Sequence, residues 1–188
     1  YSAKIGISIS SGTGTGKDCW IALVGMFFMF CFPNPKLTAT ANTKQQLKNV
    51  LWSEVSKLMA LSRKTDEKNP ASPTILESFF TWTAEKVFLT AKKGQRWFWE
   101  AVTCNLKASP EEQGEVLGGR HEDYMALFAD EATGLPDPVF TPLEGTLTGK
   151  LNLLFLIYNP TKTRGYAIES RNDPRFIFLR WNSEESEL

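Results

Sequence analysis

The feature that most constrains this chain is a glycine-rich turn set between a strand pattern and a long apolar helix pattern. Residues 4–10 alternate, with Ile5, Ile7 and Ile9 on one face, which is the period of a β-strand. Ser11, Gly12, Thr13, Gly14, Thr15, Gly16, Lys17 and Asp18 follow. A helix is expected over 17–32, closed by Pro33-Asn34-Pro35. A chain that passes from strand to helix through so tight a turn packs the helix back on its own sheet. The same alternation recurs downstream. Strands are expected at 36–41, 86–90, 97–104, 124–129, 151–158 and 176–181, and helices at 43–62, 75–82, 109–117 and 138–147, with polar loops at 63–73 and 159–164. Leu47, Val50, Leu51, Val55, Leu58 and Leu61 mark the apolar face of the second helix. Strands alternating with helices indicate an α/β sandwich with a mainly parallel sheet.

The turn itself carries chemistry. Its three alternating glycines let the backbone adopt positive φ and approach a ligand closely. Amides of the loop and of the first helical turn then point at an anion, and Lys17 brings a cation to the β and γ phosphates of a nucleotide. The usual phosphate-loop pattern is G-x-x-x-x-G-K-[ST]. Here Ser11 stands for the first Gly and Asp18 for the Ser/Thr hydroxyl that ligates Mg²⁺. A carboxylate is also a hard oxygen ligand, so Asp18 is expected to hold the metal directly or through water.

Far downstream, the apolar strand at 124–129 runs into Asp130 and Glu131. In a P-loop ATPase the first carboxylate orders Mg²⁺ and its waters, and the second polarises the water that attacks the γ-phosphate. A Glu directly after the Asp marks the P-loop class that carries its own base. Asn159, just past the next strand, can touch the γ-phosphate or its water. Arg120 lies a short way upstream of the acidic pair, and the single His121 reads as a loop residue.

Composition removes other classes. The chain has 188 residues, 42% hydrophobic and 22% charged, enough for one domain with a real core, and its 6 Trp and 13 Phe make that core aromatic. Lys+Arg and Asp+Glu are 21 each, so the net charge is zero. A nucleic-acid binder relying on bulk charge would be basic, so any such contact must use a local patch. Cys19, Cys31 and Cys104 are too scattered for a disulfide framework or a zinc site, and are expected to be buried free thiols. The apolar run at 19–32 is shorter than the roughly 20 residues of a membrane span. As a signal peptide it would need a strand and a glycine turn ahead of its apolar region.

Taken in order, these motifs resemble the large terminase subunit of tailed bacteriophages, the DNA-packaging ATPase. The resemblance covers nearly the whole chain. It rests on residues 11–17, on Thr40-Ala41-Asn42-Thr43 with Gln46 and Leu51-Trp52-Ser53-Glu54, and on Gly119-Arg120-His121-Glu122. It continues through Phe128-Ala129-Asp130-Glu131-Ala132, Glu144-Gly145-Thr146-Leu147-Thr148 and the run from Tyr158-Asn159-Pro160 to Gly165-Tyr166. Asp18 replaces the commoner Ser/Thr, and Tyr158 stands where a Gly often precedes Asn-Pro.

The resemblance implies a P-loop NTPase of the ASCE/RecA-like type, a three-layer sandwich using ATP and Mg²⁺. Lys17, Glu131 and Arg120 would be catalytic, Arg120 as a finger reaching the neighbouring subunit's nucleotide. Ser11 to Asp18 would bind the nucleotide, Asp130 and Asp18 the metal, and Asn159 would couple hydrolysis to motion. It further implies double-stranded DNA, the portal protein and the small terminase subunit as partners, a homo-oligomeric ring when assembled and a monomer as an isolated fragment, no membrane, and the host cytoplasm as location. Residues 1–188 are expected to be one ATPase domain, truncated at its N-terminus and without the family's nuclease domain. Two other readings stand beside this one. A helicase-like ATPase would suit Asp130-Glu131-Ala132, although no second RecA-like domain or Ser-Ala-Thr motif is visible. A degenerate, non-hydrolysing nucleotide-binding module would suit Asp18.

Overall fold

The computed structural model describes residues 5–62, 75–83, 85–93, 95–115, 117 and 121–185. The expected loop at 63–73 and Arg120 lie outside the described residues.

Eight strands form one sheet: β1 (Gly6–Ser11), β2 (Lys36–Ala41), β3 (Phe80–Trp82), β4 (Lys86–Leu89), β5 (Phe98–Thr103), β6 (Tyr124–Ala129), β7 (Leu151–Tyr158) and β8 (Phe176–Trp181). Their order is β3-β4-β5-β2-β6-β7-β1-β8. The pairs from β5 to β8 are parallel, and β3 and β4 extend the sheet as an antiparallel ribbon. The central parallel strands β2, β6 and β7 are largely buried, in keeping with the mostly apolar sequence of β7, whereas β8 at the sheet edge leaves Ile177, Phe178 and Leu179 exposed.

One face of the sheet carries α1 (Lys17–Cys31) and a long broken helix. The latter comprises α2 (Lys44–Gln46), a π-helical turn (Leu47–Leu51) and α3 (Trp52–Leu61). Between them and the sheet lies an aromatic core. Phe128 and Phe155 are register partners on β6 and β7 and stack at 4.8 Å, and Trp99 meets Phe128 at 5.6 Å and Trp52 at 5.1 Å. Burial of each such ring contributes roughly 1.5–3 kcal/mol. Gly25 lets α1 approach this core, because a Cβ there would lie 2.4 Å from the Trp99 ring. The helix ends at Phe32, whose extended backbone (φ −117°, ψ 140°) is the conformation that a following proline imposes.

The opposite face is covered by short elements: α5 (Pro110–Glu115), 3₁₀ turns at Ala132–Gly134 and Asp137–Val139, and α7 (Tyr166–Glu169). A reciprocal capping box opens α5. The Ser109 amide donates to Glu112 at 3.1 Å, and the Glu112 amide donates to Ser109 Oγ at 3.3 Å. Within this otherwise apolar layer runs a buried hydroxyl chain. Ser8 Oγ lies 3.2 Å from the Tyr158 hydroxyl and 2.8 Å from Ser170 Oγ, which in turn reaches the Ala167 carbonyl at 2.7 Å.

The structure departs from the sequence expectations at identifiable places. The helix expected over 75–82 is α4 (Ile75–Phe79), followed directly by strand β3. The helix expected over 138–147 is broken into a 3₁₀ turn and α6 (Leu143–Thr146). Pro142 lacks the amide that would bond to the residue 138 carbonyl and its ring would clash there. On the helix expected over 43–62, the π turn admits one extra residue and rotates everything after it. Trp52, Val55 and Met59 therefore face inward, and Leu61 is 79% exposed. Of the three free thiols only Cys104 is buried. Cys19 is half-buried, and Cys31, on the outer side of the last turn of α1, is exposed. Among the described residues no helix is long and apolar enough to cross a membrane.

Candidate functional site

Parallel pairing brings the C-terminal ends of the central strands together. Ser10 on β1 is in register with Tyr158 on β7, and Ala129 on β6 with Leu156 on β7. The residues that leave these ends, Ser11 to Asp18, Asn159, and Asp130 with Glu131, therefore converge at the edge where α/β sheets bind ligands.

The glycine turn is held by geometry more than by packing. Gly14 and Gly16 have φ of 74° and 76°, which an L side chain rarely adopts. Ser11 and Thr15 touch through their hydroxyls, and both hydroxyls contact the Gly12 carbonyl, at 3.0 and 3.3 Å. The Gly12 amide donates to the Trp181 carbonyl on β8, which ties the turn to its neighbouring strand. Thr13 and Gly14 are exposed. Gly16 precedes α1 without any side-chain cap. The first turn of a 15-residue helix thus opens without a side-chain cap from its N-cap residue, which suits an anion.

Lys17 Nζ donates to Asn159 Oδ1 at 3.5 Å. An ammonium has no acceptor, so this contact orients the amide and leaves its Nδ2 donors facing away from Lys17.

Asp130 is 2% exposed. Its amide donates to the Thr40 carbonyl on β2. One carboxylate oxygen accepts from Gln46 Nε2 at 3.4 Å and the other from the Glu131 amide at 2.9 Å. Glu131 occupies the left-handed region (φ 48°, ψ 44°), which is costly for a residue with a side chain and reorients the chain abruptly after the strand. Its carboxylate makes no hydrogen bond or ion pair among the described residues.

The electrostatics show what this edge lacks. Burial pushes the Asp130 carboxyl up to about 6; Asp18 and Glu131 push the same way, against Lys17 and the Glu131 amide. Burial likewise raises Asp18, opposed by Lys17 and reinforced by Glu54 and Glu131. Asp18 Oδ1 is buried without a hydrogen-bond partner. Asp18 and Asp130 thus present hard oxygens that are short of positive charge. Among the described residues no three His, Cys, Asp or Glu side chains are grouped to hold a metal. Two such carboxylates fit Mg²⁺, which keeps several waters and is rarely caged by protein alone.

The structure therefore brings together Ser11 to Asp18, Asp130, Glu131 and Asn159, and leaves Arg120 outside the described residues. Glu122 and Asp123, its neighbours in sequence, pair with Lys36 at 2.9 Å and Lys150 at 2.7 Å. His121 is an exposed loop residue. Four participants carried no role in the sequence reading. Gln46 bonds to Asp130, and Glu54 raises Asp18. Thr40 leaves a buried Oγ1 unpartnered beside Asp130, and Thr133 Oγ1 donates to the Asn159 carbonyl at 3.3 Å. Gln46 and Glu54 had a signal in their place on the helix after β2, one strand away from the acidic turn. Thr133 had none.

Comparison with known proteins agrees with this geometry. No family model matches the chain. It is 30% identical over 192 residues to the probable large terminase subunit of Enterobacteria phage P7, an alignment covering 96% of this chain and 36% of that protein. The chain thus spans about a third of the length of this relative. In fold it is similar to the large terminase of a thermophilic bacteriophage in complex with ADP (TM-score 0.64, 12% identity, 97% of this chain and 41% of that one). It is also similar to the large terminase ATPase domain of Thermus phage P74-26 (TM-score 0.61, 18% identity, 97% and 77%). The fold is that of the P-loop NTPases, with a mainly parallel sheet. Within that fold class, the chain is similar over nearly its whole length to part of a large terminase in sequence, and to large terminase ATPase domains in fold.

Proposed function

We propose that this chain is the ATP-hydrolysing motor domain of a viral large terminase, powering the movement of double-stranded DNA into the procapsid, and that residues 1–188 act as one ATPase unit. The observation that carries this reading is the convergence, at one sheet edge, of an uncapped helix N-terminus, Lys17 bonded to Asn159, and the Asp130-Glu131 turn. The likeness to a terminase solved with ADP supports it.

In this reading the amides of residues 12–18 and Lys17 hold the β and γ phosphates of ATP. Asp130 and Asp18 are the residues that would hold Mg²⁺, which when bound supplies positive charge to the phosphate oxygens. Gln46 and the Glu131 amide keep the Asp130 carboxylate in one orientation. Glu131, projected by its left-handed backbone and unpaired, accepts the proton of the attacking water. The Nδ2 donors of Asn159 face the γ-phosphate or that water, so loss of the phosphate is felt at the end of β7. Arg120 of one subunit serves the nucleotide of the next in a ring, with the portal protein, the small terminase subunit and the host cytoplasm as its setting.

Phosphate release from purified protein with Mg²⁺ and ATP tests the reading. Glu131→Gln is expected to keep nucleotide binding and lose about 10²–10⁴-fold in turnover. Full turnover in that variant would move the base elsewhere, and no turnover in the wild type would favour a non-hydrolysing module. For Arg120, rings that mix Arg120→Ala with Glu131→Gln are expected to hydrolyse more ATP than either variant alone, because intact sites form at mixed interfaces. No rescue at any ratio, in rings shown to assemble, would confine Arg120 to its own subunit.

A further inference from the structure

The segment from Asn159 to Tyr166 joins β7 to α7, and it is pinned at both ends. At its start, the Asn159 carbonyl accepts from Thr133 Oγ1, which also lies 3.5 Å from Thr161 Oγ1. At its end, the Tyr166 amide donates to Asp137 Oδ1 at 2.9 Å, beside Gly165 at φ 115°. Both anchors, Thr133 and Asp137, belong to the turns that directly follow Glu131. Between the pins, Lys162, Thr163 and Arg164 are exposed. Neither Lys162 nor Arg164 has an ion-pair partner among the described residues. The two cations rim a cavity of about 350 Å³ floored by Leu135, Ala167 and Ile168.

We infer that this segment grips the phosphate backbone of duplex DNA through Lys162 and Arg164, and that the grip reaches the nucleotide site through Asn159. The inference rests on the motor reading above. A chain of zero net charge can hold a polyanion only through a local patch. This segment holds two cations without an ion-pair partner among the described residues and two exposed threonines, Thr161 and Thr163, with no acid of its own. Arg and Lys on such a segment, with hydroxyl donors between, are the usual phosphate contacts of DNA-binding surfaces and carry no sequence preference. The nucleotide's own triphosphate is a poorer fit, because Lys17 and the α1 amides already meet it. Pinning at both ends matters mechanically. A load on Lys162 or Arg164 passes to Asn159 on one side and to the turns after Glu131 on the other, where a floppy loop would absorb it.

The test is made on the ATP-hydrolysing protein with mixed-sequence duplex DNA as the probe. The variants are Lys162→Ala/Arg164→Ala, the conservative Lys162→Arg/Arg164→Lys, and Asn159→Ala. The double alanine variant is expected to bind duplex at least tenfold more weakly at fixed salt. Its slope of log affinity against log salt should be shallower by about 1.8, the value for two lost phosphate contacts. It should keep DNA-free ATP turnover within about twofold and lose stimulation by DNA. The conservative variant should restore slope and stimulation, and Asn159→Ala should keep the slope and lose the stimulation. An unchanged salt slope in the double alanine variant would overturn the inference. So would a loss of DNA-free turnover equal to that of Asn159→Ala, which would assign the cations to a nucleotide. Wild-type protein that hydrolyses ATP but binds no duplex overturns this inference alone, whereas protein that does neither overturns the motor reading beneath it.

Discussion

The glycine turn and the acidic turn face the same space but are held there by different means. The first is largely open to solvent, shaped by two left-handed glycines, and offers backbone amides. The second is buried, with Asp130, Ala132 and Thr133 enclosed, and it offers side chains whose charge depends on what surrounds them. Binding by backbone requires glycine at fixed positions, so it writes itself into the sequence. Binding by carboxylate requires an environment, which is assembled from β2, the helix after it, and β7.

The comparison can be broken at either side. The largest effect is expected from Lys17→Ala, which removes the only cation of the turn together with its bond to Asn159. Turnover should fall at least about a hundredfold, and near-normal phosphate release would remove the turn from the site. Next comes Asp130→Asn, read through stability. A carboxyl whose folded value is about 6, above its ordinary 3.8, favours the protonated form in the folded protein. The associated stability is full below about pH 4 and is lost as pH rises through about 6. Without divalent cations, thermal melts of the wild type should therefore weaken between pH 4 and 7 relative to Asp130→Asn. The variant should be more stable at pH 7 by about 1–3 kcal/mol. A pH-independent difference would show that Asp130 ionises freely.

Gly16→Ala should cost about 1–2 kcal/mol from its left-handed backbone alone, since a Cβ there meets no neighbour within 4 Å. Chemical denaturation measures this, and an unchanged midpoint would mean that the turn relaxes. The smallest effect on turnover is expected from Asp18→Ser, within a few-fold of wild type, because it restores the usual hydroxyl ligand. It sharpens the comparison in another way. Asp18 is one of the groups that raise Asp130, so the pH window of the melts should shift downward in this variant. No shift would separate the two carboxylates electrostatically.

Much of the fold was legible. β2, β6, β7 and β8 occupy the expected residues, because each is an apolar or β-branched run bounded by turn residues. What was not legible depended on tertiary partners or on very short elements. β3 is three residues long and exists through its pairing with β4. α7 is a single turn after Gly165. The π turn at Leu47–Leu51 leaves the apolar spacing intact up to its start and then shifts it, so Leu61 reads as core and is surface. At the site, Lys17, Asp18, Asp130, Glu131 and Asn159 fell where their strand-end positions implied. The roles of Gln46, Glu54, Thr40 and Thr133 follow from packing between elements distant in sequence, which periodicity does not encode.

The hydroxyl chain of Ser8, Tyr158 and Ser170 has a consequence for register. Side chains on a strand alternate with period two, so sliding β7 by two residues along β1 would keep every apolar side chain on its own face. The hydrophobic pattern of Leu151–Tyr158 tolerates that slip nearly as well as the native pairing. The hydroxyls do not, because the slip would carry Tyr158 about 6.6 Å along the strand and separate its buried hydroxyl from Ser8 Oγ. It would also draw Asn159 away from Lys17. One hydroxyl contact beneath the sheet thus acts as a key that admits one alignment of two greasy strands, and that alignment is the one in which Lys17 and Asn159 meet.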